Sequence, residues 1–126
     1  MISETERDER RGSKRFHASM GAFAVLGPSA VKVGRVIDIS MGGLAFRHVD
    51  KKEPMSGLNE LDVFMIDDDF HVNKIPFEAV SDYEIANEGP SVHKRSRQSG
   101  LRFGALSSSQ RSRLEYFIKN HTLGEL

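Results

Sequence analysis

Cysteine and tryptophan are both missing from this 126-residue chain. Without cysteine there is no disulfide, no thiolate nucleophile and no cysteine-ligated zinc, a composition compatible with a reducing compartment. Long apolar runs are missing too: nothing approaches the roughly 20 residues that span a bilayer. The polar start, Met1-Ile2-Ser3-Glu4-Thr5-Glu6, has none of the apolar stretch of a signal peptide. A soluble cytoplasmic domain with no membrane span is expected. Net charge is absent as well, since 18 basic residues balance 18 acidic ones. A binder of nucleic-acid polymers carries a basic excess, so a polymer is not the expected partner.

Signatures of catalysis and of metal binding are equally lacking. His17, His48, His71, His93 and His121 do not pair with one another or with a carboxylate at the spacing of a zinc helix motif. Asp67-Asp68-Asp69 lacks the central glycine and terminal glutamate of a calcium loop, and reads as a hairpin turn. No nucleophile–base arrangement and no glycine-rich phosphate loop entering a helix can be found. No enzyme, metal or cofactor is therefore expected.

What is present is β-patterned. Residues 1–15 mix both charge signs and offer almost nothing to bury, which predicts a flexible N-terminal arm. The folded domain is expected to run from Phe16 to the end of the chain. Val31 to Ile39 alternates like a strand, Leu44-Ala45-Phe46 resumes it, and Glu60 to Ile66 follows. Phe70 to Val72 and Ile75 to Ile85 continue the pattern, and Gly100 to Leu106 reads as the last strand. Asn87 to Ser99, with Gly89-Pro90, reads as a long polar loop. Its basic cluster, His93 to Arg97, is a solvated loop tip or a docking surface for an acidic partner.

The period then changes. Ser107 with Gln110 forms a capping-box pattern, Leu114, Phe117, Ile118 and His121 share a helical face, and Gly124 offers a stop. Six or seven short strands and one C-terminal helix make a mainly all-β domain, a barrel or a sandwich.

Two local patterns carry chemistry. Arg11-Gly12-Ser13-Lys14-Arg15 is an R-x-x-x-R directly preceded by Arg10, and Asp38-Ile39-Ser40-Met41-Gly42-Gly43 is a D-x-S-x-x-G between two predicted strands. A guanidinium forks onto phosphate oxygens or the O6 and N7 of guanine, and stacks on a purine face. An ionised carboxylate only accepts, which suits the N1 and amino hydrogens of guanine. Taken singly, the arginines read as a solvated tail and Asp38-Ser40-Gly43 as an ordinary turn. Together they suit an anionic guanine nucleotide.

Both motifs, intact and in this order, resemble the PilZ family, as do Gly100-Leu101-Arg102-Phe103 and the helix that follows. The resemblance implies a six-stranded antiparallel barrel of bacterial origin that binds the second messenger cyclic di-GMP. By it, Arg11 and Arg15 grip phosphates and guanines, while Asp38, Ser40 and Gly43 line the base-recognition side. Arg10 implies two intercalated ligand molecules per chain. Two functions follow: a cyclic di-GMP receptor that presents an altered surface to a partner protein, or a PilZ-fold adaptor with little affinity for nucleotide. Intact motifs favour the receptor.

Overall fold

The computed structural model describes residues 14–27, 32–49, 59–67, 69–85 and 96–126. Strands β1 (Phe16–Ala18), β2 (Ala22–Leu26), β3 (Lys32–Ile39), β4 (Gly43–Val49), β5 (Glu60–Met65), β6 (His71–Ile85) and β7 (Ser96–Phe103) precede helix α1 (Ser108–Asn120) and a final strand β8 (Thr122–Glu125). All pairings are antiparallel, in the order β2-β5-β6-β7-β4-β3, and a β2–β3 pairing closes these six into a barrel. Closure leaves no exposed barrel edge. β1 and β8 extend the sheet beyond β3 along the part of its edge that β2 leaves open.

Period-2 alternation fills the barrel. Ala22, Ala24 and Leu26 of β2 point inward with Leu61, Val63 and Met65 of β5 and Leu44 and Phe46 of β4. α1 closes the core with Leu114 and Phe117, both fully buried. Burial of two such side chains stabilises the docked helix by about 1.5–3 kcal/mol each. Its expected capping box is formed: Ser107 Oγ accepts from the Gln110 amide at 3.0 Å, and Gln110 Oε1 accepts from the Ser107 amide at 2.9 Å. Of the predicted apolar face, Ile118 is partly buried and His121 is the C-cap, its ring packed among Phe70, Tyr116 and Phe117.

Three departures from the sequence reading have clear causes. The gap between the expected strands at Val72 and Ile75 is a bulge within one strand: Lys74 takes φ 55°, and its amide donates to Asp62 Oδ1 at 2.8 Å. The Gln110 side-chain amide donates to the carbonyls of Asn73 and Lys74 at 2.9 and 2.8 Å, so the helix cap also secures the bulge. The chain also resumes a strand after the helix: Gly124 lies in β8, paired with His17.

The third departure is that Ser96–Ser99, read as loop, belong to β7. They look loop-like because their polar groups are satisfied across strands. Ser99 Oγ donates to Asp82 Oδ1 at 3.2 Å and Arg97 Nε donates to the same oxygen at 2.8 Å. The serine proton is thereby used, so its oxygen accepts from Nε2–H of buried His48, 2.9 Å away. Arg97, expected at a solvated tip, is thus an ion-pair partner inside the sheet, whereas His93, Lys94 and Arg95 lie outside the described residues.

Partial burial pushes the Asp82 carboxyl up, but the hydrogen bond and charge of Arg97, the Ser99 hydroxyl and His48 together hold it below the usual carboxylate value. A carboxylate with a lowered folded-state pKa stabilises the fold above its unfolded value of about 3.9 and loses that contribution as pH falls through the folded value. Asp82→Asn is therefore expected to lower the thermal midpoint at pH 7. The gap to wild type should narrow as pH falls below the unfolded value of about 3.9 and through the lowered folded one, and melting curves from neutral to acid pH check this.

Candidate functional site

The site begins with a parity change in β3. Lys32, Gly34 and Val36 face inward, and strict alternation would carry Asp38 into the core. Instead Val36 pairs with Phe46 and Asp38 with Ala45, leaving Ile37 as an extra, bulged residue. Ile39 then turns inward, fully buried opposite Leu44, and Asp38 stays on the outer wall. A lone carboxylate in that core would carry a large desolvation penalty. The bulge converts an interior position into a surface one.

Beyond β3 the chain turns tightly through Ser40, Met41 and Gly42. The Ser40 amide donates to the Gly43 carbonyl at 2.8 Å, its hydroxyl reaches the same oxygen at 3.4 Å, and the Gly42 amide donates to Ser40 Oγ at 3.0 Å. Ser40 is buried at 2% exposure. Phe103 donates to the Gly42 carbonyl at 2.9 Å, which ties the turn to the end of β7. Gly43 is needed for a steric reason: a Cβ there would overlap the backbone carbonyl of Leu101 on β7. Of the D-x-S-x-x-G residues, then, Asp38 faces outward while Ser40 and Gly43 form the buried turn that fixes it.

Arg15 meets Asp38 on that wall. Phe16 and His17 of β1 pair with Ile39 and Asp38, and Arg15, one residue earlier, extends Nη1 to Asp38 Oδ1 at 2.6 Å. Its backbone is held from the other side, where its carbonyl accepts from the Leu126 amide at 2.9 Å. Lys14 adds an ion pair with Glu125 at 3.7 Å. Both residues were expected in the N-terminal arm, and here they run beside β8. Arg10 and Arg11 lie outside the described residues.

The Asp38 side chain is 16% exposed and that of Arg15 46%. The pair is thus half open on the arginine side, and the Arg15 guanidinium can turn to a ligand without leaving solvent. Asp38 Oδ2 makes no hydrogen bond to any described residue. The carboxylate therefore keeps an acceptor available, and Arg15 keeps donors beyond the one it spends. That combination accepts from paired N–H groups while donating to an anion or a carbonyl.

His17 belongs to the same neighbourhood, exposed and directly opposite Asp38, although nothing in the sequence singled it out. Only the register of β1 against β3 brings it there, and a three-residue strand carries no readable register signal. A cleft of 480 Å³ elsewhere, near Asn59, Pro76 and Gly104, is lined by Arg102, which is already paired with Glu78.

Gly43→Ala is expected to destabilise the barrel by about 1–3 kcal/mol, the usual scale of forced overpacking. A lower urea midpoint with an unchanged slope is the measurement that checks it.

Comparison with known proteins agrees with this architecture. No curated protein matches the sequence. The fold matches the PilZ domain with c-di-GMP of YcgR from Escherichia coli at a TM-score of 0.62 and 16% identity, covering 85% of this chain and 87% of that one. The PilZ domain family model matches residues 9–120, a span that takes in both motifs, the closed barrel and the helix. The chain belongs to the PilZ domain family.

Proposed function

We propose that this chain is a bacterial, cytoplasmic receptor for cyclic di-GMP and performs no catalysis itself. The observation that carries the reading is the Arg15–Asp38 pair on the outer wall, with one carboxylate oxygen still open. Asp38 accepts the N1 and amino hydrogens of a guanine. Arg15 leaves Asp38 in part and turns its fork to guanine or phosphate. Ser40 and Gly43 act beneath, by fixing the turn. Arg11 and Arg10 supply further guanidinium groups from the segment before Lys14. Residues 1–15 together serve as the arm of a barrel that starts at Phe16. The family shared with the E. coli domain that carries c-di-GMP supports the same ligand class.

The bound arm and ligand give the barrel wall a new surface, and a partner protein reads that surface. Titration calorimetry with cyclic di-GMP, with GTP and cyclic di-AMP as controls, tests the reading. Binding is expected for the first alone. Arg11→Ala, Arg15→Ala and Asp38→Ala should each weaken it by about 1.5–3 kcal/mol, or roughly tenfold to more than a hundredfold. Unchanged affinity in all three variants contradicts the site.

Stoichiometry depends on Arg10. Two intercalated ligands concentrate negative charge, so a third nearby cation favours the second molecule more than the first. The wild type is expected to take two molecules per chain and Arg10→Leu to shift towards one. Calorimetry at low and high salt separates this from a general loss of potential, because salt screens charges that act through solvent.

A further inference from the structure

Arg35 is the exposed cation of β3, on the same outer wall as Asp38 and three residues before it. Its placement is unfavourable for the sheet alone. It lies directly opposite Arg47 of β4, and like charges in that arrangement destabilise a sheet. Arg47 is relieved by Gln98, whose Oε1 accepts from its Nε at 3.0 Å. Among the described residues Arg35 has only the thioether of Met20, with Nη1 to Sδ at 3.8 Å, a weak acceptor. No carboxylate among the described residues pairs with it.

Arg35 also lines a groove of 410 Å³ that Arg47 does not touch. Ile37, the bulged residue of β3, lies in this groove, flanked by Met20, Leu123 and His17. Met20 and Leu123, each 72% exposed, give the groove an apolar rim open to a ligand. His17, which lines the groove, is the register partner of Asp38, and Ile37 of the groove is the chain neighbour of Asp38, so the groove lies next to the Asp38 position. A largely apolar trough that holds Arg35 and adjoins the position of Asp38 has the chemistry of a nucleotide cradle.

We propose that this groove is an extension of the ligand site, with Arg35 as a further contact residue that holds a phosphodiester of cyclic di-GMP. Ile37, Met20 and Leu123 cover the ribose and base faces. The inference rests on the receptor reading above. It assigns a role to a residue outside both sequence motifs.

The test compares Arg35→Gln with Arg47→Gln by calorimetry with cyclic di-GMP at several salt concentrations. The two changes remove the same charge from neighbouring positions, and only one faces the groove. Arg35→Gln is expected to weaken binding about tenfold and flatten its salt dependence, whereas Arg47→Gln stays within about twofold of wild type. Leu123→Glu, which puts a carboxylate on the rim, should weaken binding as well. Thermal midpoints close to wild type in all three variants separate contact loss from unfolding. If the wild type binds and Arg35→Gln stays within about twofold, or Arg47→Gln loses as much, the groove assignment is overturned and the receptor reading stands. If the wild type does not bind at all, the receptor reading fails and the groove assignment falls with it.

Discussion

The extra residue at Ile37 decides how β3 can serve both the core and the surface. Upstream of it, Val36 packs against the barrel interior opposite Phe46, and downstream Ile39 packs opposite Leu44. Two apolar anchors an odd number of positions apart cannot both face inward on a regular strand. The bulge reconciles them and leaves Ile37 and Asp38 on the outer wall. Everything assigned to the site depends on this: the meeting of Asp38 with Arg15, the position of His17, and the groove that Ile37 floors. The buried turn from Ser40 to Gly43 then holds the strand end against β7, so the carboxylate is presented by rigid backbone.

Arg15 is held between two parts of the chain that are far apart in sequence. On one side β1 pairs with β3, and on the other β8 follows directly from α1 and pairs with β1. Helix α1 is seated in the core through Leu114 and Phe117 and clamps the β6 bulge through Gln110. The path from helix to β8 to Arg15 is therefore continuous. Polar and ionic groups elsewhere in the sheet have a different role. His48, Ser99, Asp82 and Arg97 satisfy one another across β4, β7 and β6, and their charges and hydroxyl are spent on stability. Arg15, Asp38 and Arg35 differ in keeping capacity to spare.

Much of this was legible in the sequence because local signals agreed with the global fold. Alternation located β3, β4 and β5, and Ser107 with Gln110 located the helix start. The spacing of Asp38, Ser40 and Gly43 identified the turn. Three things were not legible. A bulge is one residue of phase, invisible unless the partner strand is known, so the outward turn of Asp38 and the role of Ile37 could not be read. Ser96–Ser99 resembled a loop because cross-strand partners satisfy their polarity, and those partners lie up to 51 residues away. β8 was hidden because four residues after a helix, with a glycine among them, look like a helix stop until β1 is there to pair with them.

In the proposed complex cyclic di-GMP docks on the outer wall of β3, between Arg15 and the Ile37 groove. Amide chemical-shift mapping of the labelled protein during titration with the dinucleotide tests this most directly. The largest changes are predicted at Arg15–Ala18, Arg35–Gly43 and Leu123, with His48, Asp82 and Arg97 little affected. Changes centred on that second group, or no changes at saturating ligand, would contradict the account.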